Sequence, residues 1–373
     1  MSERKWEPCP YSLADLGDVA QLGAIVEGAD SEIANVDFLR WQYQYNPAGH
    51  AIMWLARHRE TGQLAGSYTV IPLQIKIGYQ EVTGSLSLNT MTHPDFRKQG
   101  IFATLAERTY ESCAQAGIPL TIGWPNANSY PGFTQSLKFA DIGHREILVK
   151  PLQIANILQY YISNSALRTV TASVASAVVK VVCPRVRSFS AGHSKGIFVE
   201  KVEQFDERFD DLWQRSRNQK PNMIVRSSAY LNWRFVACPL RKYHIFASLS
   251  QGNLVGYMIG VISVHPRLGY RVAFIVDAFV DVALDERDIW RELVASVEAW
   301  AEQEGVDLIA IYLPAHSSNF QVAHSMGYRY VPQKLREGKD AFIVRSHLPE
   351  RLTKAQVMSY SQWYTMSGDN DRP

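Results

Sequence analysis

The sequence predicts an α/β (α+β) protein made of two tandem copies of one unit, each a mixed central sheet flanked by helices. Three observations carry this. Segments with apolar residues at strand spacing alternate with segments at helical spacing. The stretch FLRWQYQYNP (38–47) returns as YLNWRFVACP (230–239), so that Trp41 and Trp233, like Pro47 and Pro239, stand 192 residues apart. At 373 residues the chain is also too long for one compact domain of usual size and suits two.

In chain order, Leu13–Glu27 reads as a first helix with Asp15 and Asp18 early in it. Residues 37–47 form an aromatic helix stopped by Pro47. Residues 52–56 and 64–71, joined by a turn at Thr61–Gly62, read as a β-hairpin, followed by a strand over Leu73–Ile77. Ser85–Met91 has the alternation of a half-buried strand, and the apolar positions Phe102, Leu105, Ala106 and Tyr110 are spaced as on a helix. Between them lie Pro94, the cationic pair Arg97–Lys98 and a single glycine, Gly100. A glycine turn that opens a helix presents free N–H groups at the positive end of the helix dipole, a geometry that holds an anion, most often a phosphate.

Composition narrows the classes. Hydrophobic residues at 46% and charged residues at 20% describe an ordinary globular protein. A net charge of +2 gives no nucleic-acid footprint, so an anionic ligand would have to meet local cations. The four scattered cysteines (Cys9, Cys113, Cys183, Cys238) suggest neither a disulfide framework nor a zinc site, which fits a reducing cytoplasm. No signal peptide is visible, and the apolar run Val170–Cys183 is too short and too polar to span a bilayer.

The stretch RKQGIF (97–102), after a strand and a His-Pro turn, resembles the acyl-CoA-binding motif of the GNAT acyltransferases, Arg/Gln-x-x-Gly-x-Gly/Ala. Phe102 departs from it, standing where the pattern has a small residue. The element order of the first half, through Pro119–Trp124 and the loop to Phe133, is also that of the GNAT fold. The second half then looks like a second GNAT copy: hairpin at 243–256, central strand at 274–282, helix at 290–304 and strand at 307–313. Met326–Tyr328 is the counterpart of Leu137–Phe139. The resemblance sets residues 1–150 as an N-terminal GNAT domain with the acyl-CoA site, 151–196 as a helical connector, and 197–373 as a degenerate C-terminal copy. In the connector, Lys180, Arg185 and Arg187 could mark a membrane surface, but too sparsely for an interfacial helix; a packed connector is the reading adopted. In the second copy DERDIW (285–290) replaces RKQGIF. The glycine is lost and carboxylates stand where a pyrophosphate would lie, so one donor site is expected, in the first half.

By the same resemblance, the backbone of Thr90, Met91 and Thr92 would pair with the pantetheine arm. The amides of Gln99, Gly100, Ile101, Phe102 and Ala103 would hold the pyrophosphate, with Arg97 and Lys98 as screening cations. Asn126 and Asn128 would reach the pantetheine amides or the acyl group; as loop asparagines after Pro125 they read equally as turn formers. Acyl transfer from a thioester to an amine needs a donor N–H on the thioester carbonyl, a neutral amine and a proton for the leaving thiolate. The candidates for catalytic groups are Asn89, Tyr130 and Asp369. Tyr130 is the nearest tyrosine to the GNAT general acid, although alignment on Phe139 puts Thr134 at that place. His93 reads as structural rather than as a base, and His316 and Asp277 either line an inter-domain cleft or serve as caps. In the aromatic tail, residues 360–373, Asp369 or Asp371 either positions the acceptor amine or lies exposed beyond a closing strand.

The function these residues imply is acyl-CoA-dependent N-acyl transfer without a metal. The donor would carry an acetyl or short hydroxyacyl group such as 3-hydroxybutyryl. The nearest resemblance is to tandem-GNAT enzymes that acylate nucleotide-linked amino-dideoxyhexoses for surface polysaccharide. This implies a small-molecule amine acceptor, a cytoplasmic enzyme, no nucleic-acid partner and no membrane span. The alternatives are a non-catalytic acyl-CoA-binding or scaffold module and a tandem-GNAT peptidyltransferase; the latter would lack the phosphate loop and show a basic groove.

Overall fold

The computed structural model describes residues 4–159, 162, 165–183, 196–266, 268–336 and 340–370. Arg185, Arg187 and Asp371 lie outside the described residues. Fifteen strands are present among the described residues: β1 Trp6–Pro10, β2 Ile52–His58, β3 Leu64–Ile77, β4 Gln80–Thr92, β5 Leu120–Gly123, β6 Ala140–His144, β7 Glu146–Pro151, β8 Ile197–Val202, β9 Met223–Ile224, β10 Tyr243–Ser250, β11 Asn253–Val264, β12 Arg271–Val280, β13 Leu308–Leu313, β14 Arg329–Tyr330 and β15 Ala341–Ser346. They form two mixed sheets, ordered β1-β2-β3-β4-β5-β15-β6 (with β9 on β3) and β14-β7-β13-β12-β11-β10-β8.

Strand pairing crosses the division expected near residues 150 and 197. The two halves exchange strands. β15, from the end of the second half, lies between β5 and β6 of the first sheet, pairing Val344 with Ile122 and with Ala140. β7, from the end of the first half, pairs with β13 of the second sheet, Leu148 opposite Ile311. The chain passes from the first sheet to the second through the single residue between β6 and β7.

Each sheet is backed by a long helix whose apolar face follows the 3.6-residue period. Ile101–Gln115 buries Ile101, Leu105, Ala106, Thr109, Tyr110 and Cys113 against the first sheet. Glu286–Gln303 does the same for the second, where Trp300 packs on His244 and Phe246 at 4.6 and 5.7 Å between ring centroids. The connector is helical over Ile154–Leu158 and Ser165–Val182, and among the described residues no helix is long and apolar enough to cross a membrane.

Candidate functional site

β4 and β5 run parallel but pair at only two positions, Ser85 with Thr121 and Leu86 with Ile122. β5 ends at Gly123 while β4 continues to Thr92, so the strands part and leave the outer edge of β4 from Ser87 onward facing a gap. β4 carries a bulge opposite Ser67–Thr69, and Asn89 sits in it with φ of 47°, a left-handed conformation that asparagine tolerates better than most residues. The Asn89 side chain is held from the far side, donating to Gln42 Oε1 at 2.6 Å and to Tyr43 Oη at 2.9 Å. These two bonds hold the Asn89 side chain at the bulge.

Beyond β4 the chain turns through Pro94–Phe96 and enters the helix at Gly100, whose φ is 77°. No side chain caps this helix and its first turn holds no acidic residue. The first-turn N–H groups therefore have neither an intrahelical acceptor nor a carboxylate in front of them. A Cβ on Gly100 would meet nothing within 4 Å, so the space before the helix is open. Arg97, Lys98 and Gln99 are exposed around it, with Lys98 also left-handed at φ 61°. Positive helix end, flanking cations and an open cradle suit a phosphate. Phe102 does not intrude: its ring packs inward, edge-on to Phe133 and Tyr68 at 5.6 and 5.7 Å. His93 caps the preceding turn, accepting from the Asp95 N–H at 3.2 Å.

The gap opens into a cleft of about 1250 Å³ between the two sheets. Ser87, Leu88, Asn89 and Thr90 line one side with Trp124, Asn126 and Asn128, while strands β7, β12 and β13 form the other. Met91 is buried in the core with its side chain away from this space, whereas Thr90 and Thr92 are half-buried. Asn126 is a turn former here: its Oδ1 accepts from the N–H groups of Asn128 and Ser129, both at 3.0 Å. Tyr130 sits just past that turn and gives its hydroxyl to Asp141 Oδ2 at 2.6 Å, and Thr134 Oγ1 donates to the Tyr130 carbonyl. Of the sequence candidates, Asn89, Thr90, Asn126 and Asn128 therefore share one cleft, and Arg97–Ala103 stand together at the end of β4.

For Asp369 the sequence left two readings, positioning the acceptor amine or lying exposed beyond a closing strand; in the structure it is 3% exposed and bonded to Arg226 at 2.6 Å and to the Met366 N–H at 2.8 Å. Arg226 also meets Asp277, which accepts from the Tyr257 hydroxyl at 2.9 Å. Burial dominates and pushes the Asp277 carboxyl above its usual range, against the pull of Arg226. Asp277 is locked in this buried network, whereas the exposed His316 donates through Nε2 to the Trp363 carbonyl at 3.0 Å. Two further buried arginines grip the same segment: Arg145 donates to the Met366 carbonyl, and Arg234 to the carbonyls of Gly368 and Asn370. Beyond these contacts the tail reaches the cleft through Asn370. Sequence reasoning missed the three arginines, and only the aromatic neighbours of Arg234 in Trp233–Phe235 hinted at burial.

In the second half the corresponding helix end is closed by a side chain. The helix Glu286–Gln303 is closed by Asp285, whose carboxylate accepts from the Arg287 N–H at 3.0 Å, with Glu286 and Asp288 beside it. β12 and β13 pair only as far as Ile275 and Ile311. The tail fills the space past that point: the Ala278 N–H donates to Met366 Sδ at 3.1 Å, and a Cβ on Gly368 would come within 2.7 Å of the Val276 carbonyl oxygen.

The acetyltransferase (GNAT) domain profile matches residues 28–140, the segment that holds the β4 bulge and the Gly100 turn. Among solved structures, the chain is similar to a GCN5-related N-acetyltransferase from Anabaena variabilis (TM-score 0.64, 10% identity, 92% of this chain and 73% of that one). It is also similar to an Enterococcus faecalis protein described as a probable N-acyltransferase (0.61, 10%, 92% and 73%), and to Saccharomyces cerevisiae N-myristoyltransferase with bound myristoyl-CoA (0.58, 13%, 91% and 78%). No curated protein matches the sequence. At these identities the likeness is one of fold, and with two mixed sheets of matching order the architecture is two tandem GNAT folds.

Proposed function

We propose that this protein is an N-acyltransferase that takes its acyl group from an acyl-CoA bound at the first unit. The observation that carries the reading is the pairing of an uncapped helix end at Gly100 with the open edge of β4 at Ser87–Thr92. Arg97, Lys98 and the amides from Gln99 to Ala103 suit the pyrophosphate. The β4 edge offers the extended N–H and C=O groups that an added strand-like arm would use. The same edge supplies the preorganised N–H donor that acyl transfer needs at the thioester carbonyl. Attack by the amine nitrogen forms the amide bond as the carbon–sulfur bond breaks, and the amine's proton balances the thiolate that leaves.

For the acceptor, the sequence resemblance supports the amine of a small molecule, in particular a nucleotide-linked amino-dideoxyhexose. The cleft is roomy enough for such an acceptor beside the donor, and its far wall comes from the second unit. Thiol release from a set of acyl-CoAs, measured with and without dTDP- and UDP-amino sugars, tests this. Sugar-dependent thiol release supports it, while tight CoA binding without release for any amine leaves a binding module instead.

A further inference from the structure

A strand that is apolar on both faces belongs between two covers. β13 is such a strand. Ile309, Ile311 and Leu313 on one face are at most 1% exposed, in the same core as the helix Glu286–Gln303. Leu308, Ala310 and Tyr312 on the other face open on the cleft. β12 and β7 repeat the pattern, with Phe274 and with Ile147 and Val149 on the cleft side. Five of these side chains (Ile147, Val149, Phe274, Leu308 and Tyr312) are only half-buried, and together they make one apolar wall across three adjacent strands.

The wall is joined to the donor gap. Trp124 follows β5 directly. The Arg145 guanidinium lies over the Trp124 ring at 4.8 Å and over the Tyr312 ring at 5.7 Å, and Tyr312 stands 6.4 Å from Phe274. The arginines along this path are already paired, Arg145 with both oxygens of Asp340 at 2.7 and 2.8 Å and Arg336 with Glu146. A phosphate would find little to hold it against this wall, whereas a hydrocarbon would find cover. The cleft also exceeds the usual range for a small-ligand site, roughly 300–1,000 Å³.

We infer that the wall receives the acyl chain of the donor, and that the preferred donors carry six or more carbons rather than acetyl or hydroxybutyryl. This rests on the donor site proposed above. Calorimetric titration of the full protein with CoA, acetyl-CoA, hexanoyl-CoA and octanoyl-CoA tests it. A chain covered on one side gains about twofold in affinity per methylene, so octanoyl-CoA should bind on the order of fiftyfold tighter than acetyl-CoA. Phe274→Ser and the milder Val149→Thr should flatten that series while leaving the affinity for CoA itself unchanged. A series independent of length, with CoA still bound, overturns the inference and leaves the donor site standing. Failure of CoA to bind at all overturns both.

Discussion

The indole N–H of Trp41 donates to the backbone carbonyl of Trp233 at 2.8 Å, and the indole N–H of Trp233 donates to that of Trp41 at 3.1 Å. The rings stack 5.1 Å apart with 22° between their planes. Two positions related by the sequence repeat thus bind each other reciprocally, as residues on either side of a two-fold axis do. Both side chains are buried, and the pair bolts the equivalent helical segments of the two units together.

Trp41→Phe keeps most of the ring volume but strands the Trp233 carbonyl, at an expected cost of about 1–3 kcal/mol. Trp233→Phe should cost a similar amount. The double variant should fall short of the sum by about 1 kcal/mol, since both changes dismantle one contact. Urea unfolding of the four proteins checks this, and strict additivity would mean the two indoles act independently.

Gly100→Asp is expected to abolish acyl-CoA binding in a folded protein. The side chain enters the open space before the helix and puts a carboxylate where the first-turn N–H groups would meet phosphate; the left-handed φ adds strain of about 1 kcal/mol. Calorimetry of the wild type should give one CoA per protein, because in the second unit Asp285 caps the helix and Met366 occupies the strand gap. Unchanged affinity in Gly100→Asp, or a stoichiometry of two, contradicts the assignment.

Much of the first unit was legible because its signals are local. The Gly100 turn, the helix after it and the strand before it are each specified within a few residues, as is the repeat at Trp41 and Trp233, although the strand is buried on both faces over Ser85–Leu88 rather than half-buried. The exchange of β7 and β15 was not legible, since either strand's alternation fits either sheet and pairing at that separation leaves no mark in composition. Asp369 misled for a related reason. An acidic residue near the end of a chain reads as solvent-exposed until its partner, Arg226, is brought from 143 residues away.

His347 gives the protein an acid-sensitive joint. Burial, aided by the Arg345 charge, lowers its pKa to about 4, and Nε2 lies 2.7 Å from Thr121 Oγ1 while the ring stacks on Tyr110. The unfolded chain binds this proton near pH 6.5 and the folded one only near pH 4. Stability from this group is therefore complete above about pH 6.5 and lost as pH falls toward 4, by about 3 kcal/mol in all. Urea midpoints between pH 4 and 7 should show this slope, and His347→Gln should remove that share of it. An identical slope in the variant would assign it elsewhere.

Truncation after Met366 should destabilise the whole protein rather than impair turnover alone. It removes Asp369 from Arg226 and the Gly368 and Asn370 carbonyls from Arg234, leaving buried guanidinium groups short of partners, at about 3–5 kcal/mol for a broken buried pair. Asp369→Asn, which keeps the shape and leaves Arg226 its bonds to Asp277, should cost less. Thermal unfolding of both variants checks the order, and an unchanged midpoint on truncation would make the tail a free arm.

The strand exchange sets the order of events at the ribosome. When β6 has been made, its place in the first sheet is still separated from β5 by one missing strand, because β15 has yet to be translated. Roughly two hundred residues separate them, about 10–40 s of synthesis at typical rates. Through that interval the nascent first unit must keep an open edge on β5 from pairing with a neighbour, a hazard for any unfinished sheet. An isolated N-terminal half would stay permanently in that condition, and should aggregate where the intact protein does not.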